Sequence, residues 1–180
     1  MYGPYADSIG PELPGGWIEN DHARIDVAHV ECKNPIRQFF SYYRSLDDRD
    51  LPRWSEFDIC AVPPKVVSHI ALGRPEYGAG DTDVPDHFVY TLQGGVIRVL
   101  TGRSLIGEPV GRVPGFTRKS CLSHEVSDAV LGRCVVCSRF VVETNEPSDL
   151  QLTRGLFPFS GDSRPIERLV VVVASPSSVH

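Results

Sequence analysis

No run of residues in this chain approaches the roughly 20 consecutive apolar positions that a bilayer-spanning helix requires. Nor is there a basic block. The 18 Lys and Arg are scattered along 180 residues against 23 Asp and Glu, for a formal net charge of −5. Phosphate binding needs concentrated positive charge, so neither a nucleic-acid nor a membrane partner is expected. The opening MYGPYADSIGPELPGG lacks a basic start and an apolar stretch, so it does not read as a secretory signal. Five cysteines are an odd set, which suits reduced thiols in a cytoplasmic protein better than a disulfide framework. No Gly-x-Ser-x-Gly elbow, Walker loop or Gly-x-Gly-x-x-Gly occurs. An enzyme is therefore the weakest reading, and a non-enzymatic module the leading one.

What is present reads as one domain with its own core. Apolar residues make up 41% and charged residues 23%, near globular averages. Residues 1–33 form a lead-in punctuated by Pro4, Pro11, Pro14, Gly15 and Gly16, with Asp26–Val30 either a short strand or a helical turn. Asn34 and Pro35 suit the cap and first position of a helix. Ile36, Phe39, Phe40, Tyr43 and Leu46 then form one apolar stripe. Residues 51–65, with three prolines, read as a loop that packs Trp54 and Phe57.

Strands are expected at Val66–Leu72 and Phe88–Leu92, separated by a polar loop from Gly73 to Asp86 and closed by Gly94-Gly95. Val96–Leu100 fits a strand or a helical turn equally well. Residues 102–116 carry four glycines and two prolines and read as turns and short helical pieces. Leu122, Val126, Ala129, Val130 and Cys134 recur at helical spacing, with Ser120 or Ser123 as cap and Glu125 in the first turn. Segments 135–144, 151–159 and 166–174 are β-rich. The whole argues for α+β around an antiparallel sheet.

Three passages, in this order, resemble the PAS family, and most closely a bacterial subgroup of short stand-alone PAS proteins. They are FFSYYRSLDDRDLPRWSEFDICAVP (39–63), FVYTLQGGVIRVLTGRSLIGEPV (88–110) and LTRGLFPFSGDSRPIERLVVVVAS (152–175). The resemblance covers residues 34–176 and leaves 177–180 as a tail. It implies a five-stranded antiparallel sheet with short helices on one face and an N-terminal helix, and it makes Val96–Leu100 helical. It also implies a sensory or signalling module that takes a small molecule between helices and sheet and relays it through a protein partner. The alternative within the family is a protein-interaction adaptor with a closed core. A homodimer would fit either. Nothing after residue 176 reads as an effector, so the output would pass through a partner.

The candidate pocket follows from that picture. Its walls would be Tyr90, Leu92, Ile97, Leu100, Val126 and Val130, with Arg98 as a clamp for an anionic ligand. No cofactor is required. Some PAS proteins hold haem through a helix histidine, and His124 is the best-placed candidate here, with His69 and His87 behind it. The Asn-Cys-Arg-Phe motif of the flavin-binding relatives is missing. Cys121-x2-His124 and Cys134-x2-Cys137 together have a zinc-like spacing, but one helix from 121 to 134 would hold the pairs about 15–20 Å apart. His124 to Asp128 misses HExxH at its last position and reads as a helix start with an exposed acidic turn. Asp81 to Asp86 begins like a calcium loop but lacks the later Gly and Glu.

Overall fold

The computed structural model describes residues 17–47, 50–79, 84–110, 117–119, 121–144, 149–162 and 165–175. In chain order the strands are β1 (Trp17–Arg24), β2 (Ile70–Glu76), β3 (His87–Gln93), β4 (Thr117–Lys119), β5 (Val136–Val142), β6 (Leu150–Phe159) and β7 (Arg168–Ala174). The α-helices are α1 (Pro35–Leu46), α2 (Pro64–Val67), α3 (Gly95–Thr101) and α4 (Leu122–Leu131). All strands lie in one sheet of order β3-β2-β7-β6-β5-β1-β4. Every neighbouring pair is antiparallel except the short parallel contact of β4 with β1.

The α+β class and the antiparallel sheet are as expected, but the strand count is not. Six antiparallel strands are present, not five. The extra strand is β1, from the segment read as a lead-in. It pairs with β5 in two short pieces, Glu19–Asn20 against Val142–Val141 and Ala23–Arg24 against Arg139–Ser138. Its sequence, WIENDHAR, has little apolar alternation, so the period-2 signal that marks a strand is absent.

Nor are the helices confined to one face. Strands β6 and β7 are buried along nearly their whole length, as strands covered on both sides must be. On one face Phe157, Phe159, Val170 and Val172 pack under α1. On the other, Leu152, Leu156, Leu169 and Val171 pack with Ile97 of α3 and Ala129 and Val130 of α4. The run LVVVVA in β7 carries both sets, alternate side chains going to opposite cores.

Asn34 caps α1 as the sequence suggests, its side chain accepting from the Ile36 amide at 2.9 Å. The stripe then buries Ile36, Phe39 and Tyr43. Phe39 meets Phe157 edge-on at 4.7 Å, and Tyr43 donates to the Pro158 carbonyl at 2.6 Å. Trp54 and Phe57 do pack from the 51–65 loop, stacked at 4.6 Å. Asp26 caps a single 3-10 turn at Val27–His29.

Several boundaries move. Val66 belongs to α2 rather than to a strand, because Pro63 and Pro64 favour a helical turn there. β2 then runs on to Glu76, into the expected loop. Helix α4 stops at Leu131 with Gly132 as its cap, so Cys134 lies beyond it. The cap position at its start is Cys121, without a side-chain bond, and Ser123 lies inside the helix. Ser120, residues 111–116 and the acidic stretch 81–83 lie outside the described residues.

Val96–Leu100 is helical, inside α3. Gly94 makes that helix possible. Its amide donates to the Ile70 carbonyl at 2.8 Å, and Val96 donates to Ser68 at 3.0 Å. A Cβ at Gly94 would lie 2.3 Å from the Ser68 carbonyl oxygen, which is backbone and cannot step aside. Gly94→Ala is therefore expected to lower stability by about 1–3 kcal/mol. Urea unfolding reads this as a lowered midpoint with an unchanged slope. An unchanged midpoint would mean the close approach is not needed.

Candidate functional site

The expected pocket residues divide between core and surface. Tyr90, Ile97 and Val130 are buried in one apolar cluster, with Leu100 and Val126 packed against it. Leu92 is 37% exposed, and Arg98 and His124 are exposed as well, so these three are not gathered with the others. The opening left between α4 and β3 is a notch of about 140 Å³, lined by Phe88, Val110, Val126 and Val130 and rimmed by Asp86 and His87. A larger groove of about 500 Å³ opens elsewhere, beside Asp50, Arg53, Arg133 and Asp162. Its lining carries Asp47, Asp50, Glu56 and Asp162 against Arg53 and Arg133, with Arg53 3.3 Å from Asp162 and Arg133 3.5 Å from Asp50.

Beside the apolar cluster lies a feature that the sequence reading missed. Arg154 of β6 is buried, with a side chain 3% exposed, and it divides its guanidinium between two buried carboxylates. Nη1 donates to Glu19 Oε1 at 2.6 Å and Nη2 to Glu19 Oε2 at 3.1 Å. Nε donates to Glu125 Oε2 at 2.6 Å, and Nη2 also lies 2.5 Å from that oxygen. The guanidinium sits 4.4 Å from the centre of the Phe140 ring. Glu125 was read as part of an exposed acidic turn. It is 1% exposed, because it falls on the inner side of α4 beside Leu122 and Ala129.

The remaining polar atoms are mostly matched. Glu19 Oε2 accepts the Cys121 amide at 3.1 Å. Glu125 Oε1 lies 2.7 Å from His22 Nε2. An ionised carboxylate can only accept, so Nε2 carries the proton in that bond. Ser138 is the exception. Its buried hydroxyl lies close enough to Glu125 to favour the charged carboxylate, but without a hydrogen bond of ordinary geometry among the described residues.

Burial works to raise the Glu125 pKa, but Arg154, Ser138 and His22 outweigh it and hold the carboxyl below its ordinary value of 4.5. Burial likewise opposes charge on Arg154, and its bonds to Glu19 and Glu125 more than restore it. Both partners are thus held in their charged forms. Burial pushes Tyr90 up to about 12, with Arg154 partly offsetting and Glu19 adding to the shift. Burial, Glu19 and Glu125 raise the Cys121 thiol, and burial pushes Cys137 up to about 12. Both shifts favour the protonated thiol.

The arrangement is a buried ionic knot. Its charged groups bond chiefly to one another, to His22 and to the Cys121 amide. No group of three or more His, Cys, Asp or Glu able to hold a metal occurs among the described residues. Cys121 precedes α4 and Cys137 lies within β5, so the two zinc-like pairs belong to different elements.

No protein-family model matches the chain. No curated protein matches it either. A solved structure of a fungal LOV domain photoreceptor is similar to it at 17% identity and a TM-score of 0.39, over 66% of this chain and 80% of that one. A likeness that weak decides neither family nor function. No helix among the described residues is long and apolar enough to cross a membrane.

Two outcomes follow from the knot. Arg154→Met leaves two buried carboxylates without their cation and is expected to cost about 3–5 kcal/mol. Adding Glu19→Gln and Glu125→Gln should recover most of that loss, because the buried charges go with it; urea unfolding of the single and triple variants checks both. The second outcome concerns acid. A carboxyl with a depressed folded pKa adds stability that is fully present above its unfolded value and is lost as pH falls through the folded one. The contribution of Glu125 should therefore hold down to about its ordinary value of 4.5 and disappear below it. Glu125→Gln should flatten that acid limb of the urea midpoint, and an identical limb in the variant would assign the loss to other groups.

Proposed function

We propose that this chain is a PAS-like signalling module that acts through protein contacts, with a closed core and no chemistry of its own. The observation that carries the reading is what occupies the space between α3, α4 and the sheet. Tyr90, Ile97, Val130, Phe140 and Leu156 fill it, and the Glu19–Arg154–Glu125 knot lies beside them. The notch of about 140 Å³ that remains falls short of the roughly 300–1,000 Å³ of ordinary ligand sites. The family assignment itself rests on the three sequence passages at 39–63, 88–110 and 152–175 and on the position of α3 after the glycine break. On this reading the partner would be a signalling protein bound at the surface.

A small-molecule sensor is the second reading, and the notch favours it. Val126 and Val130, two of the residues expected to line a pocket, do line this one. Haem through His124 has less support, because that side chain is exposed and does not border the notch.

Native mass spectrometry and an absorbance scan of the purified chain separate the two. The closed-core reading expects the bare chain mass or a multiple of it, no visible band, and a Val126→Trp variant that folds as stably as the parent. A stoichiometric small molecule that is lost in Val126→Trp would overturn it in favour of the sensor.

A further inference from the structure

Strand β1 is attached differently from the rest of the sheet. None of its described side chains, residues 18–24, belongs to either apolar cluster. Its ties are polar instead. Glu19 reaches Arg154, Asn20 donates to Glu143 at 2.5 Å, His22 meets Glu125 at 2.7 Å, and Arg24 pairs with Asp128.

Its backbone bonding is also broken. The register with β5 shifts between Asn20 and Ala23, and Asp21 there has φ +48°, a conformation unusual for a residue with a Cβ. On the outer side β4 pairs only with Trp17 and Ile18, and no other described strand covers residues 19–24. Beyond Arg24 the attachment becomes apolar. Ile25 and Val27 pack against the cluster under α1, and Ile25 donates to the Cys137 carbonyl at 3.0 Å.

A strand held by charges gains little net free energy from them. The desolvation of a buried pair opposes its attraction, and an exposed pair is weak and screened by salt. Arg154 and Glu125 would still neutralise each other if Glu19 left, so release does not strand a lone charge. We propose that β1 is a charge-latched strap. It swings out about the Ile25–Asp26 junction and parts β4 from the sheet with it, while β2, β3, β5, β6 and β7 stay folded, and this bares the outer edge of β5 and the Arg154–Glu125 pair. This device does not depend on whether the core takes a ligand.

Native-state hydrogen exchange on the full chain tests it, with rates normalised to unstructured peptides. In low salt the peptide covering 17–25 is expected to exchange at least about 100-fold faster than peptides within 150–174. In 1 M NaCl it should speed up a further threefold or more, with 150–174 not accelerated. A His22→Gln, Arg24→Gln variant should likewise accelerate only 17–25. The salt arm uses the unmodified protein, so the test survives a variant that fails to fold. Equal exchange of 17–25 and 150–174, or a rise in both together under salt, would overturn the proposal.

Discussion

The fork that Arg154 makes between Glu19 and Glu125 is the constraint around which this side of the sheet is arranged. One planar cation engages two carboxylates from different elements, so it sets the depth of α4 and the lateral position of β1 together. An apolar contact at the same place would tolerate sliding. A bidentate pair does not, because its donors lie in a fixed plane. The knot therefore contributes more to positioning than to net stability, since removing three charges from water offsets much of their attraction.

The two-sided burial of β6 and β7 supplies the stability that the knot does not. Those strands sit at the centre of the sheet and feed both cores, one under the aromatic face of α1 and one under α3 and α4. Apolar burial is thereby concentrated in the middle, and the described side chains of β1, toward the margin, have none of it. An element can move by itself only if its release leaves the core intact. The proposed strap rests on this contrast, and the functional reading rests separately on the filled space between α3, α4 and the sheet.

Much of the scaffold was legible in the residues themselves. The Asn34-Pro35 start and the stripe from Ile36 to Tyr43 specified α1 through local capping and a 3.6-residue period. The β-rich segments 151–159 and 166–174 placed β6 and β7. β1 was not legible, since its side chains bond to charges rather than face an apolar core, and no periodicity results. The ionic knot was not legible either, although traces of it existed. Arg154 stands on the same strand face as Leu152 and Leu156, and Glu125 interrupts the inner stripe of α4 between Leu122 and Ala129. Each is a charge where an apolar residue belongs, and each alone reads as a surface residue.

The sequence by itself determined the class of the fold and the presence of α1 and the closing strands. These depend on neighbours within about a dozen residues, where cap, period and spacing act directly. Only the tertiary structure decided that the helices cover both faces, that a sixth antiparallel strand joins the sheet, and that Glu19, Glu125 and Arg154 meet. Those three are separated by 29 to 135 residues, and what brings them together is the order of strands in the sheet, which no local pattern encodes.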